Sequence, residues 1–120
     1  MSAKFSAPLK HEQLRAVELF QQLSQAELDQ ILQAARPCRL AVEEFLFYQE
    51  DPAERFYLLL EGRLKLTQLS TEGLQVILRY ANPGEAFGIV AVLSEINYPI
   101  TAQAVEDSRL ISWEKMPCRR

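Results

Sequence analysis

"RLKLTQLSTEGLQVILRY", Arg63 to Tyr80, decides the fold. Leu64 and Leu66 alternate with Lys65 and Thr67, the period-two pattern of a half-buried strand. Ser70 to Gly73 ("STEG") is a turn signal, and the apolar run after it reads as the returning strand of a hairpin. The flanking sequence keeps the same rhythm. "FLFY" (Phe45 to Tyr48) and "FYLLL" (Phe56 to Leu60) precede the hairpin; "TAQAV" and "RLISW" follow it, with Glu106-Asp107-Ser108 between them. Short strands at this spacing predict a mainly β fold, an antiparallel barrel or jelly roll, from Pro37 to about residue 115.

Before Pro37 the period changes. Ser24 and Glu27 form a capping-box pattern, Leu28, Ile31, Leu32 and Ala35 fall at helical spacing, and Pro37 reads as a stop. The spacing predicts a helix over 25–36, with a shorter one upstream carrying Leu14, Val17, Leu19 and Phe20, so that 10–36 is the helical part of one 120-residue domain.

Composition excludes several classes. The net charge is −3 and the basic residues are scattered, so the chain lacks the basic face of a module that grips DNA by itself. No apolar run is long enough to cross a bilayer and no secretory leader is visible, which predicts a soluble, cytoplasmic protein with no membrane partner. Cys38 and Cys118 lie far apart outside any CxxC spacing and read as free thiols. Glu43-Glu44 and Glu50-Asp51 read as solvated turns, and no GxSxG turn accompanies the single histidine, His11; no catalytic residue is predicted and the chain reads as a non-enzyme. Phe45, Phe47, Tyr48, Phe56, Tyr57 and Phe87 read as core or cross-strand partners.

The ordered series Leu19-Phe20-x-x-Leu23-Ser24, Phe56-Tyr57-x-Leu59-x-x-Gly62-x-Leu64-Lys65-Leu66, Gly73, Pro83-Gly84-x-x-Phe87-Gly88 and Ala104-Val105-Glu106-Asp107-Ser108 resembles the effector domain of the Crp/Fnr transcription regulators. The resemblance implies a cyclic nucleotide-binding-like, double-stranded β-helix jelly roll with N-terminal helices, and places a ligand cassette in "PGEAFGIVAVLSEINYPITAQAVEDS", Pro83 to Ser108. The candidate ligand-binding residues of that cassette are Gly84, Phe87, Gly88, Ile89, Val90, Tyr98, Pro99 and Ile100, with Val92 and Leu93 as further lining candidates. Gly88 would open a helix whose free N–H groups face a phosphate in the family, or would simply allow a tight turn.

In family members that bind cyclic AMP, Phe-Gly is followed by a Glu that takes the ribose, and a later Arg with a hydroxyl neighbour clamps the cyclic phosphate. Here those positions are Ile89, Tyr98 and Pro99, and no Lys or Arg occurs between Tyr80 and Ser108. Losing two charge-assisted anchors of about 1.5–3 kcal/mol each would weaken binding by roughly a hundredfold to ten-thousandfold. Glu85, Glu95, Glu106 and Asp107 add only negative charge. Cyclic-nucleotide binding is therefore not expected, and the effector is an unidentified small molecule, uncharged or planar, unless the core simply fills the site. A divergent site using backbone N–H groups and Arg79 is the third reading.

"INYPITAQAVEDS" further resembles the regulators of denitrification, a branch that responds to nitric oxide and is thought to use haem. Haem would need an axial ligand, for which His11, Cys38 and Cys118 are the candidates; a lone His near a terminus reads as a surface residue, and no cofactor or metal is predicted. The cysteine cluster of an iron–sulfur sensor is not present. The resemblance implies a homodimeric regulator that meets DNA through a dimerisation helix and a helix-turn-helix domain outside these 120 residues. The alternative is a stand-alone module that acts through an atypical ligand or protein contacts.

Overall fold

In the computed structural model, residues 24–114 are described. The upstream helix, the Leu19-Phe20 motif, His11 and Cys118 lie outside them. Ser24 caps helix α1 (Gln25–Ala34) with a complete capping box: its side chain accepts from the Glu27 N–H, and the Glu27 carboxylate accepts from the Ser24 N–H. Two orphan donors of the first turn are thereby satisfied.

The helix ends two residues earlier than its spacing predicts. Ala35 is the extended C-cap, and Arg36 already belongs to strand β1 (Arg36–Leu40), which contains Pro37. A residue before proline is driven out of helical geometry, so Pro37 acts one step sooner than a simple stop. It is tolerated inside β1 because β1 is an edge strand, where a missing N–H need not break a ladder.

The remaining elements are β2 (Phe45–Phe47), β3 (Arg55–Glu61), β4 (Leu64–Leu69), β5 (Gln75–Ala81), β6 (Ala86–Phe87), helix α2 (Ile89–Ser94), β7 (Thr101–Ala104) and β8 (Ser108–Glu114). They form two antiparallel four-stranded sheets, ordered β1-β8-β3-β6 and β2-β7-β4-β5. This is the jelly roll that the strand pattern predicts. Strands β1 and β6 are additional to those read from the sequence.

β8 explains how one sheet serves two cores. Leu110 joins Leu59, Tyr57, Phe47, Leu64 and Leu66 inside the roll, while Ile111 and Trp113 pack outward with Leu58 against Leu28 of α1. Alternate residues of a strand face opposite sides, so both faces of β8 are buried. The Trp113 indole N–H donates to the Ile31 carbonyl at 2.7 Å, occupying an acceptor in the last turn of α1. The hairpin pairs Leu64 with Ala81 and Leu69 with Gln75, but β5 is an edge strand and leaves Val76, Ile77 and Leu78 exposed.

Candidate ligand cassette

The cassette begins at a turn. The Glu85 N–H donates to the Asn82 carbonyl, with Pro83 and positive-φ Gly84 between them, as in a type II turn. The Gly84 N–H and the Glu85 carbonyl then bond the two sides of Leu59, hanging the cassette from β3.

Phe87, on β6, enters the inner core. Gly88 caps α2 with φ +85°, and a Cβ there would stand 3.3 Å from the Arg55 carbonyl and 3.5 Å from the Tyr98 ring. A side chain would be strained by φ and pressed on the Arg55 carbonyl, with the Tyr98 ring at ordinary contact distance. Helix α2 has six residues, and Val90 lies on it with its side chain outside the described set.

The sequence-predicted residues separate into groups. Phe87, Tyr98 and Val92 are in the inner core, and Ile100 packs against it. Ile89, at the expected Glu position, packs instead on the α1-side cluster of Leu58, Ile111 and Trp113. Leu93 is 74% exposed, because α2 is a single short helix with one face to solvent. Pro99 is exposed, and its carbonyl accepts from the Gln68 amide at 3.1 Å.

Tyr98, at the position that the resemblance assigns to the phosphate-clamping Arg, is 4% exposed. Its ring stacks on Phe47 with centroids 3.8 Å apart, and Phe47 in turn meets Tyr57 and Phe87. The Tyr98 hydroxyl, with Tyr57 as its neighbour, donates to the Arg55 carbonyl at 2.5 Å and accepts from the Arg55 N–H at 3.3 Å. The backbone closes the same clamp: Glu50 N–H donates to the Tyr98 carbonyl at 2.8 Å, and Tyr98 N–H to the Asp51 carbonyl at 2.9 Å. These ties hold the cassette against the β2–β3 loop. Sequence reading had no signal for them, since Glu50 and Asp51 lie 47 or more positions away from Tyr98.

Phe45 and Tyr48 depart from the expected core role, being 40% and 52% exposed: a bulge between Phe45 and inward-facing Phe47 breaks the alternation in β2, and Tyr48 lies past the end of that strand. The turn carboxylates behave as expected: Glu44 accepts from Ala41 N–H and Asp51 from Tyr48 N–H. Arg79 is engaged by Glu85 at 2.7 Å on the surface, so it arrives at the cassette already neutralised.

Burial pushes the Tyr57 hydroxyl well above its ordinary value of 10, with the neighbouring Tyr98 adding to the effect. Burial also raises Tyr98, opposed by its hydrogen bond to Arg55, and raises the half-buried Cys38 thiol. The folded state therefore keeps these protons to higher pH than the unfolded chain. Their stabilising contribution is complete below about pH 9 for Cys38 and about pH 10 for the two tyrosines, and is lost as pH climbs toward the folded values. Urea melts should show stability falling above about pH 10, with a shallower fall in Tyr57→Phe; the same slope in both proteins would refute the assignment.

The comparisons with known proteins agree with this architecture. Residues 37–119 match the family described as the cyclic nucleotide-binding domain. The chain is 29% identical over 99 residues to the cyclic AMP receptor protein of Thermus thermophilus, an alignment covering 82% of this chain and 46% of that protein. It is 34% identical over 79 residues to the transcriptional activator protein anr of Pseudomonas aeruginosa, covering 66% of this chain and 31% of that protein. The chain thus spans less than half the length of these two curated relatives. The sensor domain of the transcriptional regulator DNR from P. aeruginosa superposes with a TM-score of 0.78 at 31% identity, covering 87% of this chain and 70% of that one. The chain belongs to the cyclic nucleotide-binding domain family, and its likeness is to the effector domains of Crp/Fnr-type regulators.

Proposed function

We propose that these residues form the effector-sensing domain of a Crp/Fnr-type transcription regulator whose cassette does not take cyclic AMP. Tyr98 carries this reading. The position of the phosphate-clamping Arg is held by a ring stacked on Phe47, with its hydroxyl committed to the Arg55 backbone. A cyclic phosphate entering there would meet no cation from the cassette itself: the segment from Tyr80 to Ser108 supplies none, Arg79 is paired with Glu85, and Arg55, whose charge reaches Tyr98, is paired with Glu114. Ile89 leaves no carboxylate for a ribose hydroxyl, and it packs toward α1.

The domain works by binding, not by catalysis. In the intact regulator an uncharged or planar effector would shift a homodimer between DNA-competent and DNA-incompetent states, with DNA met through a separate domain. The likeness to a protein named cyclic AMP receptor protein favours a second reading, in which cyclic AMP is retained through backbone donors alone. Thermal-shift titration separates the two. Neither cyclic AMP nor cyclic GMP should produce saturable stabilisation, whereas a ligand at about 100 times its Kd would add about 2.7 kcal/mol. A saturable rise at micromolar cyclic AMP would overturn the proposal.

A further inference from the structure

A cleft of about 420 Å³ lies between the β2–β3 loop and the strands β4, β5 and β7; its described lining takes Thr101 from the cassette segment but none of the candidate ligand-binding residues named above. Its floor is formed by Thr67 and Thr101, which pair across β4 and β7. The preceding pair on this ladder, Leu66 and Ala102, is in the inner core. Alternation of a strand's side chains therefore puts Thr67 and Thr101 on the opposite, outer face.

The wall is aromatic. Phe45 and Tyr48 stack with centroids 4.7 Å apart and planes 21° from parallel, yet they belong to neither core cluster and are about half exposed. Gln49 stiffens the rim: its side chain accepts from the Leu69 N–H at 2.7 Å and donates to the Leu69 carbonyl at 3.2 Å. The Gln49 N–H donates to Thr101 Oγ1 at 2.8 Å, leaving the Thr101 hydroxyl proton to be donated elsewhere. The Gln75 amide reaches Thr67 only at 3.5 Å, a long contact that a ligand could replace. Glu50 contributes a carboxylate, and no Lys or Arg is among the described lining residues.

We propose that this outer-face cleft is a second ligand site that takes an uncharged planar heterocycle of the nucleobase or nucleoside kind. The size lies within the range of small-molecule sites, and the aromatic pair offers a face for stacking. The Gln75 amide oxygen and the Glu50 carboxylate match a ring edge that carries N–H donors. The same carboxylate, without a neighbouring cation, disfavours a phosphorylated ligand.

The test is an adenosine titration of the full chain followed by amide NMR shifts, with AMP in parallel. Adenosine should give saturable shifts at Gln49, Glu50, Thr67 and Thr101, Tyr48→Ala should weaken it about tenfold, and AMP should bind less tightly. Tyr48 is exposed and outside both cores, so the variant should keep the wild-type spectrum elsewhere. The proposal is overturned by no saturable shift up to about 10 mM, by shifts centred on Phe87, Gly88 and Tyr98, by unchanged affinity in Tyr48→Ala, or by AMP binding as well as adenosine.

Discussion

Gly62→Ala is expected to destabilise the domain by about 3 kcal/mol or more, while Gly73→Ala costs about 1 kcal/mol. Both glycines hold positive φ, +101° and +87°, in the turns before β4 and β5. Left-handed backbone at a non-glycine residue accounts for about 1–2 kcal/mol at either site. The difference between them is steric. A Cβ at Gly73 meets nothing within 4 Å, whereas one at Gly62 would lie 2.6 Å from Cα of Ser108 and closer still to its hydroxyl.

Ser108 cannot step aside cheaply. Its hydroxyl accepts from the Arg63 N–H at 3.2 Å and donates to the Glu106 carbonyl at 2.8 Å, and its backbone opens β8 opposite Leu40. The clash is therefore with the start of a strand buried on both faces, and relief would have to move the ladder. Urea denaturation of the two variants checks this. Equal losses would show that φ alone matters and that the approach to Ser108 is unimportant.

Tyr98→Ala should remove about 3–5 kcal/mol, in the range of deleting a large buried ring, while Tyr98→Phe should lose only about 1 kcal/mol with the hydroxyl. Two effects combine in the alanine variant. Phe47 loses the ring stacked 3.8 Å away, and the Arg55 N–H and carbonyl lose their side-chain partner. The phenylalanine variant keeps the stack and loses only the second effect. Chemical denaturation of both proteins would discriminate the contributions, and similar losses would mean that the hydroxyl, not the ring, holds the cassette in place.

Tyr98 also shows how a site can be legible in part. Counting back from Ala104-Val105-Glu106-Asp107-Ser108 identified it as the residue standing where an arginine is expected. Its aromatic character suited either a filled core or a pocket wall. The decision between those came from Phe47, which lies 51 positions earlier and faces it because β2 pairs with β7. Ile89 is the converse case. Adjacent to Phe87-Gly88 in sequence, it is turned to the other side of the sheet by the positive φ at Gly88 and the start of α2.

Local chemistry determined much of the protein from sequence alone: the capped helix, the alternating strands, the hairpin turns and the absence of a cation from Tyr80 to Ser108 all depend on neighbouring residues. Tertiary structure alone decided which apolar residues were buried. Phe45 and Phe47 are two positions apart in one strand, yet one is exposed and the other is in the core, because a bulge interrupts their pairing with β7. It also decided the β1 edge, the double burial of β8 and the closure of the cassette on Glu50 and Asp51. Each depends on contacts between distant segments, which composition and period do not encode; long-range pairing determines which face of a strand becomes the inside.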